Sequence, residues 1–128
     1  MNERIKIWEK DDFFQISSER KDMDPAVVQL PEDEVPLAWQ YNWEKSYGLV
    51  RDIRLEDGEI TGEVEFFDET HQAQVEALLK HGDVRYGGYY SEVKERKDDK
   101  TSIVTECRLR AVAIVMNHTM PGWPRDKK

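Results

Sequence analysis

Three sets of residues in this sequence are of types that could do chemistry. The histidines His71, His81 and His118 could bind a metal or carry a proton. No pair of them has a metal-ligand spacing such as i, i+4 on one helix, so neither a metal nor a cofactor is expected, and surface or hydrogen-bonded roles are the default. The serines Ser17, Ser18, Ser46, Ser91 and Ser102 include none in a Gly-x-Ser-x-Gly elbow. Ser91, which follows Gly87, Gly88, Tyr89 and Tyr90, is the fallback nucleophile, with His71 or His118 as its base, although nothing local fixes either imidazole beside it. Carboxylates such as Glu63 and Glu65 alternate as acids do on the solvated face of an antiparallel sheet. Gly87-Gly88 has no Lys-Ser/Thr after it, so a strand bulge or a close backbone approach is expected there, not a phosphate loop.

The aromatic residues are more distinctive. Trp39, Tyr41, Trp43 and Tyr47 cluster in one segment, and Tyr86, Tyr89 and Tyr90 in another. Part of this set must be core. Trp39, Trp43, Tyr86, Tyr89 and Tyr90 are the candidates for a protein-binding surface, because Trp and Tyr combine large apolar area with a polar handle.

Composition bounds what these residues can serve. The chain has 128 residues, 38% hydrophobic and 36% charged, which predicts a single domain spanning 1–128 with a thin core and a heavily charged surface. A formal net charge of −8 repels phosphates, so a nucleic-acid partner is not expected, and the terminal Arg125-Asp126-Lys127-Lys128 reads as a solvated tail. No apolar run approaches the roughly 20 residues of a membrane helix, and Met1 to Lys6 lacks the apolar centre of a secretory leader, so no membrane association is expected. The lone Cys107 excludes an internal disulfide and suits a reducing compartment; a half-buried strand position is expected for it.

The elements that must position the candidates can be read from periodicity and turn chemistry. Ile5 and Ile7 alternate with polar residues, and Phe13 to Ile16 follows an acidic turn at Asp11-Asp12, so an opening hairpin is expected. Asp24-Pro25 predicts a short helix that Pro31 stops. Val35 to Trp39 and Tyr47 to Leu55 read as strands, and Asp57-Gly58 as a type I′ turn leading into Ile60, Gly62, Val64 and Phe66. One principal helix is predicted from about Glu69 to Lys80, capped by Asp68 or Thr70 and ended near His81-Gly82. Val84 to Arg96 and Thr101 to Met116 form a further hairpin across Lys97-Asp98-Asp99-Lys100. Residues 117–128, with Pro121, Gly122 and Pro124, are expected to be an irregular tail that Trp123 pins back onto the body. The fold class is mixed α/β (α+β), a mostly antiparallel curved sheet or compact β-barrel with one principal helix and one short helix.

The order of these elements from Val35 to Val115 resembles the phage prohead (capsid maturation) proteases, which share the fold of the herpesvirus assembly proteases. Val35-Pro36-Leu37-Ala38-Trp39-Gln40-Tyr41-Asn42 looks like that family's Val-Pro-Leu-x-x-x-His-Asp/Asn segment, and Gly48-Leu49-Val50 like its Gly-x-Val strand. Val84-Arg85-Tyr86-Gly87-Gly88-Tyr89 stands where the family has Leu-Arg-x-x-Ser-x-Gly-Tyr. Arg110 to Val115 resembles its Glu-Val-Ser-Leu-Val strand, before a Pro-containing exit at Met120-Pro121-Gly122. The resemblance covers roughly two-thirds of the chain.

It breaks at the positions that matter for catalysis. The family's base, a His, falls on Tyr41; its nucleophile, a Ser, on Gly88; the acidic residue of its last motif, on Ala111. Tyrosine, with an unperturbed pKa near 10, is a poor base at neutral pH, and glycine has no nucleophile. Ser91 stands three residues on, which in a strand turns the side chain to the other face. The resemblance therefore implies a catalytically inactive phage protein of the host cytoplasm or virion. It would act by contact with a protein partner, such as the capsid or scaffold protein, and a homo-oligomer is compatible with that role. Two rivals remain: a divergent serine protease of capsid maturation using Ser91 with His71 or His118, and an acidic inhibitor of a basic host defence protein.

Overall fold

The computed structural model describes residues 3–16, 19–40, 42–82, 84–99 and 101–116. Among the described residues nine strands form one sheet: β1 Glu3–Trp8, β2 Phe14–Ile16, β3 Glu19–Met23, β4 Val28–Gln29, β5 Val35–Trp39, β6 Asn42–Glu56, β7 Glu59–Phe66, β8 Val84–Asp98 and β9 Thr101–Met116. The helix α1, Glu69–His81, lies between β7 and β8 in the chain.

β9 is the spine. One edge pairs antiparallel with β8 along its full length, from Asp98↔Thr101 to Val84↔Met116. The other edge receives three short strands in succession, all parallel to it: β3 against Thr101–Val104, β4 against Cys107–Arg108, and β5 against Val112–Ile114. The chain between β3 and β5 thus climbs alongside one strand and leaves it twice, at Pro25 and near Pro31. Proline supplies no N–H to a ladder, so both are natural breaks. Alternation in the sequence showed the strands but not this parallel staircase, since side-chain period is the same in parallel and antiparallel pairing. Where a short helix was expected, Pro25–Val27 makes a single 3-10 turn, capped by the Asp24 carboxylate accepting from the Ala26 N–H at 3.0 Å, with no residue buried.

From β5 the sheet continues antiparallel through β6 and β7 to β1. It curls so far that β1 comes to lie against β8, the strand at its other limit, in a half-barrel. The expected opening hairpin is therefore wrong in its partner. β1 pairs with β7, placing Ile5 opposite Gly62, while Phe14–Ile16 turns away to pair with β3. The acidic turn between them is used differently: Asp12 takes a bidentate grip from Arg85 on β8, at 3.2 and 2.7 Å, and so fastens the β1–β2 connection across the seam of the curl.

Two bulges help the long strands bend. Asp52 in β6 and Glu92 in β8 have φ of 52° and 54°, each at a shift of register. An inserted residue of this kind bends a strand and increases its twist. Each bulge carboxylate is held by two arginines: Asp52 by Arg4 at 3.2 Å and Arg54 at 2.7 Å, Glu92 by Arg108 at 3.2 Å and Arg110 at 2.9 Å. The Arg54 hydrogen bond, with the Arg4 and Arg54 charges, holds the Asp52 carboxyl below its usual value. The Asp57-Gly58 turn has positive φ at both residues, 52° and 78°, as a type I′ hairpin requires.

The core gathers on the inside of the curl. At its centre Trp8, Phe14 and Tyr90 form a triangle with ring centroids 5.0, 5.7 and 6.3 Å apart, two of the contacts edge-on. All three are fully or almost fully buried. Cys107 is deeper than expected, 1% exposed with its Sγ 3.5 Å from the Met23 sulfur, and burial, with the nearby Glu106 charge, pushes the thiol up to about 11. α1 starts and stops as its sequence predicts. The Asp68 carboxylate accepts from the Thr70 and His71 N–H groups at 2.6 and 3.3 Å, and Gly82, at φ 82°, donates its N–H to the Leu79 carbonyl.

Two outcomes follow for stability. Trp8→Ala or Tyr90→Ala should each cost about 3–5 kcal/mol in urea unfolding, because the aromatic triangle leaves a cavity when any corner is removed. The Thr70 and His71 N–H groups hold the Asp68 carboxyl below its ordinary 3.8, so its contribution is present above that value and fades as pH falls through the lower folded value. Asp68→Ala should therefore fray α1 near neutral pH and flatten the acid limb of stability, read by circular dichroism across an acid titration.

Candidate functional site

The register of three strands shows where the positions singled out by the resemblance stand. Leu37 on β5, Val112 on β9 and Gly88 on β8 stand in one row, and Tyr89 is opposite Ala111. Gly88 and Ala111 are thus near neighbours on adjacent strands. Tyr41, the third position, lies outside the described residues, as does His118.

Gly88 is buried, and its α-carbon faces the packed interior. A β-carbon there would come within 2.7 Å of Leu109 Cδ1 and 2.9 Å of both Tyr90 Cζ and the Tyr90 hydroxyl oxygen. The volume that a serine would need is already filled by a leucine and by one corner of the aromatic triangle. Ala111 is 4% exposed and brings no acid.

Ser91 is engaged elsewhere. Its hydroxyl accepts from the Arg110 Nε at 2.7 Å, in the exposed cluster that also holds Glu92. His71, on the first turn of α1, lies flat against Tyr47 with centroids 4.1 Å apart and planes 6° from parallel. Among the described residues no hydrogen bond joins Ser91 to His71, and the other candidate base, His118, lies outside them. Among the described residues, no group of three or more His, Cys, Asp or Glu is placed to hold a metal.

The aromatic candidates divide. Tyr86 and Tyr90, expected at a binding surface, are 6% and 2% exposed and belong to the core. Their strand alternates inward and outward positions, and both fall on the inward set with Val84 and Gly88. The Tyr86 hydroxyl is buried and has no hydrogen-bond partner among the described residues, and burial, with the charges of Glu3 and Glu76, pushes its pKa well above 10. Tyr89 is half-buried on the opposite side, and the side chain of Trp43 lies outside what is described.

Trp39 does reach a surface feature. It stacks on Tyr47 with centroids 6.1 Å apart and planes at 27°, and Tyr47 in turn carries His71. Facing this shelf are Gln74, Val75, Ala77 and Leu78 of α1, enclosing a groove of about 410 Å³. Phe67, 62% exposed, follows β7, with its N–H donating to the Tyr47 carbonyl at 3.0 Å. The groove is apolar and aromatic, lined by no nucleophile, and suited to receive a flat or apolar side chain.

Sequence reasoning missed Phe67 and the part His71 plays as a ring. A signal for Phe67 was present. Phe66 and Phe67 are adjacent at the end of a strand, so they must point to opposite faces, and only one can enter the core. Compared with family models, curated proteins and solved structures, the chain matches none. The reading of the site accordingly rests on its residues.

The space above Gly88 gives a direct test. Gly88→Ser should lower stability by about 1–3 kcal/mol through overpacking against Tyr90 and Leu109, and it should not gain labelling by a serine-reactive fluorophosphonate.

Proposed function

We propose that this is a phage protein related to the prohead proteases that has given up hydrolysis and acts by protein contact, in head assembly or as a capsid-associated component. One observation carries the reading: where the resembled family keeps its serine, this chain has a glycine whose side-chain space is occupied by Tyr90 and Leu109. A nucleophile at that position would face a packed core, not a substrate. The order of motifs from Val35 to Val115 supplies the family, and the groove supplies the means of contact.

The contact surface in this reading is the aromatic shelf of Trp39 and Tyr47 together with the exposed ring of Phe67, whose backbone N–H donates to the Tyr47 carbonyl. Partly exposed rings of this kind, beside a pocket, are the usual anchors of protein interfaces. The outer strands present mixed charge instead, as in the Arg4, Asp52, Arg54 and Glu56 group, and exposed pairs of that kind add little to affinity.

The test is co-expression of the tagged protein with the major capsid and scaffold proteins of its own phage. Co-purification with intact scaffold is expected. Phe67→Asp should weaken it by at least about 2 kcal/mol, roughly thirtyfold in Kd, while leaving the thermal unfolding midpoint unchanged. A monomer indifferent to every head protein overturns the proposal. Cleavage of the scaffold that disappears in Ser91→Ala would establish the protease in its place.

A further inference from the structure

The helix α1 is held to the sheet at one end and stands off it beyond that end. Its entry and first turn both rest on Tyr47 of β6: the Phe67 N–H donates to the Tyr47 carbonyl at 3.0 Å, and the His71 ring lies flat on the Tyr47 ring with centroids 4.1 Å apart. Past that turn the grip loosens. Of the 13 residues of α1 only Val75 is fully buried, while Leu78 and Leu79 are partly buried. Gln74, Ala77 and Leu78 look across the groove of about 410 Å³ at Trp39 and Tyr47. We propose that α1 is a hinged lid, fixed at its first turn, whose C-terminal half closes the groove onto Trp39. The inference goes beyond the contact surface argued above and concerns the protein alone, so it stands or falls without any partner.

The geometry of the helix favours such a motion. Gln74 and Leu78 follow His71 by three and seven residues and share its side of the helix. Seven residues are roughly 10 Å of helix axis, so a small tilt about the first turn is amplified at Leu78. The other end of α1 stops at Gly82, whose φ of 82° lies in the region that glycine enters freely, and a β-carbon there would meet nothing within 4 Å. The backbone therefore turns in open space. Closing lays Ala77 and Leu78 against Trp39, and the apolar area taken from water favours that position. A helix anchored by one fully buried side chain belongs to the low-stability end of a domain, where small differences in burial select between positions.

A second observation comes from beneath the helix. Tyr86 stands in one row with Ile114 and Trp39 across β8, β9 and β5, so its side chain is on the same face of the sheet as Trp39. Its hydroxyl is buried and has no hydrogen-bond partner among the described residues, which costs stability. Two carboxylates are near enough for their charges to act on it, Glu3 on β1 and Glu76 on α1. Glu76 accepts from the Gln72 side chain of its own helix at 3.2 Å. Because Glu76 lies between Val75 and Ala77, it travels with the residues that line the groove. In the closed position its carboxylate accepts from the Tyr86 hydroxyl, and closure satisfies a donor that the open position leaves unmet.

The experiment is methyl and indole NMR on the full chain, with relaxation dispersion and saturation transfer covering the microsecond-to-second range of lid motions. The expected result is one shared exchange process at Ala77, Leu78 and the Trp39 indole, with flat profiles at Val112 and Ile114. Tyr86→Phe should lower the closed population at least about fivefold, because it removes a hydrogen bond to a carboxylate that is made only there. Ala77→Leu, which fills the groove in the open position, should abolish the exchange while the thermal unfolding midpoint holds. Flat profiles throughout overturn the proposal, since α1 then has a single position. Exchange toward random-coil shifts, or exchange that Tyr86→Phe leaves unchanged, also overturns it, because the helix is then fraying or moving without the contact that defines the closed state.

Discussion

The aromatic triangle of Trp8, Phe14 and Tyr90 is the contact on which the rest of this molecule depends. Its corners come from β1, β2 and β8; β1 stands at one end of the hydrogen-bonding order, and β2 and β8 are reached only through β9, beyond β7, β6 and β5. β1 and β8 touch without sharing a ladder, so side-chain burial, not backbone pairing, keeps the curl from opening. Aromatic rings serve this purpose well. Each buries a large apolar area, and edge-to-face geometry adds attraction to what burial supplies. Arg85 on Asp12 then fixes the same seam from its polar side.

That contact also limits what position 88 can hold. Tyr90 can fill the middle of the curl only if β8 has no side chain two residues earlier on the same face. Gly88 meets that condition. A side chain at the position would collide with the ring that holds the curl together, so a serine and this packing exclude one another at position 88.

The abundant charges play a smaller and more local part. Most of the ion pairs are exposed, where screening and side-chain entropy leave little net stabilisation. Their placement at the two bulges is what gives some of them structural meaning. Asp52 and Glu92 occupy left-handed backbone that a non-glycine residue adopts at some cost, and each is anchored by a pair of arginines. Lys21, 7% exposed, reaches Glu95 at 2.5 Å over β9, joining two strands that flank the spine without pairing to each other. Beside α1, by contrast, Trp39 and Tyr47 line an apolar groove.

The sequence by itself determined the local elements. Asp68 and Gly82 bounded the helix because a cap oxygen and a left-handed glycine are chemical requirements of helix ends. Asp57-Gly58 marked its hairpin for a similar reason, and the long strands from Val84 and Thr101 followed from alternation across an obvious turn. What each strand would pair with was not legible. The alternation of Ile5 and Ile7 states which face is buried but not against what, so β1 found β7 in place of its sequence neighbour. The same limit applied to the site. Tyr86, Tyr89 and Tyr90 look alike in a strand of unknown orientation; only the curl decided that Tyr86 and Tyr90 point inward. His71 read as a candidate base became the end of an aromatic stack, because stacking depends on where α1 lies over β6, a distance no spacing in the sequence encodes.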